Sequence, residues 1–408
     1  FTVQNATIEN FSYVAGNNAG TFDLKPISDA AETVQLEAGK LTGQDGNGNS
    51  ASEVLTFASN RTAPVLTEVT APPSLTNNPN VSYVFETTKP GTITYGGACT
   101  SSTTAAVQGN NTVSFETLAD ETYNDCTITV TDAFGNASNT LDIPTFEVDT
   151  MPPGDFTVEL LQDPINLANQ DSVSFTISGG EDGARYDYEI FGPSPSGADD
   201  GDGFISANLQ TIQIGDVSSV SDGTVTLTVT LKDAAGNLTS AVTDTATKDT
   251  GIAKPILAFS ATGPTNSSAL EVTVDFGEPV TLFSAPLDAT AFTITNATVQ
   301  NNAVTDDGNG IYKLVLVPST ADTVTIAVPA SAVSDLAGNP NPLSDTASIL
   351  FDNVAPELAL VTPVPTPTMD TTPSFTFSSD EDGTITYGAD FCQGDLTDAV
   401  DGNNTVTL

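Results

Sequence analysis

The chain repeats itself. Phe1-Thr2-Val3-Gln4-Asn5-Ala6-Thr7-Ile8-Glu9-Asn10 reads again as Phe292-Thr293-Ile294-Thr295-Asn296-Ala297-Thr298-Val299-Gln300-Asn301. Gly91-Thr92-Ile93-Thr94-Tyr95-Gly96 returns as Gly383-Thr384-Ile385-Thr386-Tyr387-Gly388, and Gly109-Asn110-Asn111-Thr112-Val113 as Gly402-Asn403-Asn404-Thr405-Val406. Self-similarity at a fixed period is the mark of an array of stacked units. The 408 residues are therefore expected to be a window on a longer repetitive chain.

Acidic residues number 52 against 9 basic ones, a formal charge of −43. Nucleic acid and anionic lipid need a cationic surface, so both are excluded as expected partners. The charge fits a protein adapted to salt, divalent cations as counterions, or both together. Histidine is absent, which removes the commonest general base and the commonest transition-metal ligand. No apolar run reaches the roughly 20 residues of a membrane span, so no membrane insertion is expected in this stretch.

Almost every segment reads as strand. Val81-Ser82-Tyr83-Val84-Phe85, Ser172–Ile177 and Thr224–Leu231 alternate apolar and polar residues with period two, are rich in β-branched side chains, and are bounded by Gly, Pro, Asn and Asp. No stretch shows the helical period. Short strands at regular spacing predict an all-β chain, a linear array of immunoglobulin-like β-sandwiches.

Asp-x-x-Gly-Asn punctuates the chain at Asp45–Asn49, Asp132–Asn136, Asp233–Asn237 and Asp335–Asn339. Asp first and Gly fourth suit a type I turn between the last two strands of a domain. A linker follows each: Asn60-Arg61-Thr62-Ala63-Pro64, Asp149-Thr150-Met151-Pro152-Pro153, Asp249-Thr250-Gly251 and Asp352-Asn353-Val354-Ala355-Pro356. Proline there stops strand pairing and stiffens the connection. The expected division is 1–63, the back part of a first domain type; 64–150, a second type; 151–250, a third; 251–355, a complete copy of the first; and 356–408, the front part of a second-type copy.

The Asp-x-x-Gly-Asn turn, the proline linker and the Thr/Val-rich strands together resemble the tandem bacterial immunoglobulin-like (Big-type) domains of large cell-surface adhesins. Val274–Thr281 and Val328-Pro329-Ala330 ahead of Asp335 fit the same pattern. The resemblance spans essentially the whole chain. It implies an extracellular, cell-surface location and a mechanical role.

In the strand order this resemblance implies, Cys99 follows strand C and Cys126 opens strand F, so the two meet at one pole and are expected to form a disulfide. Cys392 repeats Cys99, with its partner expected beyond Leu408. Tyr123 resembles the tyrosine corner of such domains.

The same order puts the B–C and F–G loops at the pole where the chain enters, so each Asp-x-x-Gly-Asn turn faces the preceding linker. Carboxylates would then converge, and calcium takes six to eight oxygen ligands. The expected sets are Asp149, Asp233 and Asp182 (with Glu181); Asp249, Asp335 and Glu278; and Asp352, Asp380 and Asp382 (with Glu381). At the joint into residues 64–150, Asn60-Arg61 and Thr88-Lys89-Pro90 replace the acids, which predicts no ion there and leaves that joint more flexible or held by an Arg61 ion pair. Taken singly, each turn Asp also has a plain reading, in which it bonds its own backbone. Asp199-Asp200-Gly201-Asp202-Gly203 reads as a solvated hairpin tip.

The function expected is that of a stalk or filament region of a repetitive adhesin, stiffened by Ca2+ and not enzymatic. Its partners would be further copies of the array or a surface ligand bound elsewhere. A surface-layer or sheath lattice, or an accessory region of a secreted polysaccharide enzyme, are the alternatives.

Overall fold

The computed structural model describes residues 1–14, 19–194, 199–282, 289–388 and 393–408; Cys392 lies outside them. The described chain is all-β, with one short 3₁₀ turn at Ala289–Ala291. No helix is long and apolar enough to cross a membrane.

Strand Gly223–Lys232 shows how the alternation produces the sandwiches. Val225, Leu227, Val229 and Leu231 are fully buried, while the threonines between them face the other side. Each such side chain contributes about 2 kcal/mol by leaving water, and one residue of slippage would turn all four outward.

In residues 64–150, strands Leu66–Thr70, Ser82–Thr87 and Gly109–Ser114 form one sheet. Strands Ala105–Ala106, Gly91–Gly96, Thr127–Thr131 and Leu141–Asp142 form the facing one. Tyr83, Phe85, Phe115, Ile128, Val130 and Phe146 fill the space between. Cys99 and Cys126 are joined by a disulfide, with Cα atoms 5.3 Å apart. Tyr123 Oη donates to Ala119 O at 3.1 Å, the contact of a tyrosine corner.

Residues 151–250 repeat the plan, with Phe156–Leu160, Val173–Gly179 and Leu209–Gly215 packed on Asp199–Phe204, Arg185–Phe191, Gly223–Lys232 and Val242–Lys248. Residues 251–355 build a third separate core around Val272, Val274, Phe276, Leu316, Val324 and Ile326.

Asp199–Phe204 is thus an edge strand, not a hairpin tip. It pairs with Arg185–Ile190, and Arg185 Nε reaches Asp202 at 3.2 Å. The reason is tertiary: Tyr188 and Tyr186 project from the neighbouring strand against Gly201 and Gly203, leaving no room for a Cβ at either position. Acidic side chains on an open edge also discourage pairing with another sheet.

Among the described residues the two end pieces show no such core. Phe292 is 8% exposed and its copy Phe1 is 50% exposed. Phe375 and Phe377 repeat the fully buried Tyr83 and Phe85 but are only half-buried, and Leu358 and Leu360 beside them are exposed.

A parallel bridge recurs at the exit of each unit: Leu75 and Thr76 with Glu147 and Val148, Ile165 with Lys248, and Thr265 with Phe351. It ends at the linker acid. The amides of Asp149, Asp249 and Asp352 donate to the carbonyls of Thr76, Ile165 and Thr265 at 3.0, 2.9 and 2.9 Å. The last strand therefore delivers each linker acid to a fixed place.

Candidate functional site

Three of the Asp-x-x-Gly-Asn turns are built alike. The first-position amide donates to the fifth-position carbonyl, and the buried Asp caps the turn. Asp233 Oδ1 accepts from the amides of Gly236 and Asn237 at 2.6 and 2.8 Å, and Oδ2 from Asn237 Nδ2 at 2.8 Å. Asp335 and Asp132 are held in the same way by Asn339 and Asn136. The fourth position has φ of 85°, 103° and 91° at Gly135, Gly236 and Gly338, which is why it is glycine.

The remaining turn is shifted from its expected place. Gly43 N donates to Asn47 O and Gly46 N to Gly43 O, so the turn is Gly43–Asn47, with glycine where the others have Asp. Asn49 corresponds instead to Asn341: each accepts a backbone N–H through Oδ1 and donates to two carbonyls. The spacing matched two registers, and strand pairing chose the other one, joining Thr42 to Gly48 as Ser334 joins Pro340.

The fifth-position Asn reaches across the domain boundary. Asn136 Nδ2 donates to Asn60 O at 2.7 Å, Asn237 Nδ2 to Asp149 O at 2.8 Å, and Asn339 Nδ2 to Asp249 O at 2.8 Å. From the other side, an Asp of the preceding unit grips the linker threonine. Asp29 accepts from the backbone of Arg61 and Thr62 and from the Thr62 hydroxyl. Asp120 accepts from Thr150, and Asp222 from Thr250. Lys248, almost wholly buried, pairs with Asp222 at 3.0 Å. None of these contacts is among the sequence-based expectations. The constancy of the fifth-position Asn across the internal repeats was the available signal.

The expected acid sets are placed unequally. Asp249, Glu278 and Asp335 converge, with one carboxylate oxygen from each within 4.8 Å of the others. Burial, then Asp249 and Asp335, push the Glu278 carboxyl above the ordinary glutamate value, although the Ala253 amide donates to it. The described residues place no Lys or Arg in an ion pair with any of the three. These are hard oxygen donors under mutual repulsion, the ligand class that calcium takes. Glu278 enters because Val280 pairs with Asp335, which leaves it at the top of the preceding loop.

At the joint into residues 151–250, Asp149 and Asp233 meet through Asn237, but Asp182 is exposed in its turn and completes no triad of acids. Arg185 pairs with Lys232, so Asp182 holds the register place of Glu278, but it lies in a tight turn closed by the Ala184 amide on Glu181 O and its side chain faces solvent. At the joint into residues 356–408, Glu381 stands against Asp352 and Asp380. Burial first, then those two charges, raise its carboxyl above the ordinary value. Asp380 accepts from the Glu357 amide at 2.7 Å, and Asp382 turns away to accept from the Asp401 amide. Glu381, not Asp382, is therefore the inward-facing acid.

At the joint into residues 64–150 the cation is a side chain. Lys89 Nζ donates to Asn60 Oδ1 at 2.9 Å and to the Thr62 carbonyl. The bond from Asn136, then other local bonds and the charge of Lys89, hold Asp132 below the ordinary aspartate value. Among the described residues Arg61 forms no ion pair; its guanidinium donates to Pro26 O. The expected Arg61 pair is replaced because Arg61 points back over the preceding unit while Lys89 faces the linker.

No family model and no curated protein matches the chain. Among solved structures it is similar to part of a 1.5-MDa bacterial ice-binding adhesin, at 16% identity over 72% of this chain and 97% of that one, with a TM-score of 0.28. A tetra-tandem repeat from the extending region of a large adhesion protein gives 18% identity over 84% and 89%, with a TM-score of 0.28. FdeC, an Escherichia coli adhesin, gives 13% over 71% and 96%, with a TM-score of 0.31. At these values the likeness carries no argument, and the β-sandwich architecture rests on the sheets themselves.

Proposed function

We propose that this chain is a non-catalytic spacer region of a bacterial cell-surface adhesin, working outside the cell by holding its units in a fixed succession. The supporting observation is the linker, gripped from both sides at three successive joints: by an Asp of the unit before and by the turn Asn of the unit after. Small interfaces between domains are ordinarily mobile, and a linker bonded at two successive residues resists bending. Asp249, Glu278 and Asp335 would bind calcium, which would relieve the repulsion among three crowded carboxylates and tie linker, B–C loop and turn together. The ligand that such an adhesin recognises would be bound by other parts of the protein or by other copies of the array.

The test is calcium titration of the full chain, with spin labels placed on the two units flanking residues 249–253. Calcium should narrow the distance distribution and a chelator should broaden it. An unchanged distribution, with no calcium bound in the millimolar range, would end the calcium part of this reading.

A further inference from the structure

We infer that Lys89 is a built-in counter-ion, its ammonium standing where the acid joints take a divalent cation, so that the joint at residues 60–64 is held without metal. The inference rests on the calcium reading for residues 249–253 and adds a second joint chemistry to it.

Three correspondences place Lys89. Thr92 pairs with Thr131, so Gly91 stands opposite Asp132 as Val280 stands opposite Asp335. Lys89-Pro90-Gly91 then overlies Glu278-Pro279-Val280. Second, Asn60 is the counterpart of Asp249. The turn Asn of the next unit donates to each carbonyl, and each side-chain oxygen accepts from the amide two residues on. Third, the loop exists in both charge states within one domain type. Gly91 pairs with Ala106 as Gly383 pairs with Ala399, making Glu381 the repeat of Lys89. The conformation is shared: Thr87 Oγ1 donates to Lys89 O at 2.8 Å, and Ser379 Oγ to Glu381 O at 2.6 Å.

Charge therefore changes at two facing positions together. Acid facing acid leaves a site that a cation must fill. Lysine facing asparagine removes both of those negative charges and supplies one positive charge, and the ammonium donates to the linker's own oxygens. Such an array keeps part of its length stiff when calcium falls and loosens only at its acid joints.

The test is a reciprocal exchange in the full chain, read by terbium luminescence, calcium stoichiometry and spin-label distances across each joint. N60D/K89E should gain one equivalent of bound ion, and its joint should become chelator-sensitive. D249N/E278K should lose one equivalent, and its joint should become chelator-insensitive. K89M should broaden the 60–64 distance distribution with or without calcium. The inference is overturned if K89M leaves that distribution unchanged, or if N60D/K89E gains no ion while the wild-type site at Glu278 is filled. If the wild type binds no ion at Glu278 but K89M still loosens its joint, the calcium reading fails and the role of Lys89 stands. Unfolding curves of the 64–150 unit distinguish a loosened joint from a damaged domain.

Discussion

The joints at residues 60–64 and 249–253 share one hydrogen-bond frame and differ in charge: a lysine balances the turn aspartate in one, and three carboxylates crowd together in the other. In both, a turn asparagine holds the linker carbonyl and a buried turn aspartate holds that asparagine. One has Lys89 facing Asn60; the other has Glu278 facing Asp249 and Asp335. The frame can thus be kept while the electrostatics are exchanged, because the turn Asp, the turn Asn and the linker carbonyl are common to both joints and the charge changes fall on other side chains.

The largest expected effect tests whether the lysine joint owes its order to the unit behind it. Replacing Cys99 and Cys126 by serine opens a loop whose ends are 27 residues apart and should cost the 64–150 unit about 3.5 kcal/mol on the chain-entropy model. Chemical denaturation measures that loss, and the 60–64 distance distribution should stay narrow while the unit remains folded.

Next, Asp335→Ala removes both a charged turn cap and a carboxylate of the acid site. Loss of its hydrogen bonds should cost about 2–3 kcal/mol in the 251–355 unit, and calcium should no longer stabilise it. Asp132→Ala should destabilise its own unit without altering calcium stoichiometry, since Lys89 already supplies the charge there. Equal loss of calcium in both variants would break the comparison.

Asn339→Ala and Asn136→Ala should each cost about 1–2 kcal/mol, since each loses a bond across the boundary and one within the turn. Both joints should loosen, because the frame is common to them. If only one responds, the joints differ in more than charge.

The smallest effect is in pH, measured in chelator. Glu278 has its folded value raised, so its unit binds the proton more readily folded than unfolded. Its contribution is fully present below the ordinary glutamate value and is lost as pH rises through the raised one. Mild acidification from neutrality should therefore raise the unfolding midpoint of residues 251–355. Asp29 is lowered chiefly by the Thr62 hydroxyl, and Asp132 chiefly by Asn136. Their contribution is present above the ordinary aspartate value of 3.8 and is lost as pH falls through the lower folded values. The lysine joint should be indifferent to mild acid and loosen only in strong acid. Opposite signs at the two joints are the outcome to look for.

Several of these features are legible in the amino-acid sequence by itself. The alternation in Thr224–Leu231 determined a strand with one buried face, because the period of two is a property of the extended backbone. The recurrence of segment 1–10 at 292–301 determined that units repeat. The loss of acids at Asn60 and Thr88–Pro90 together marked one joint as different. The tertiary structure alone decided which residues face one another. Asp45–Asn49 matched the motif but lost to Gly43–Asn47, because strand pairing sets the turn. Asp382 lost to Glu381 because neighbouring loop residues face different ways, and Arg61 lost to Lys89 because Arg61 reaches back to Pro26 O while Lys89 comes from a loop that faces the linker. A joint brings together residues far apart in the chain, as with Lys89 and Asn60, or Asp249 and Asp335. Their charges act on one another only once the strands have delivered them to the same few ångströms.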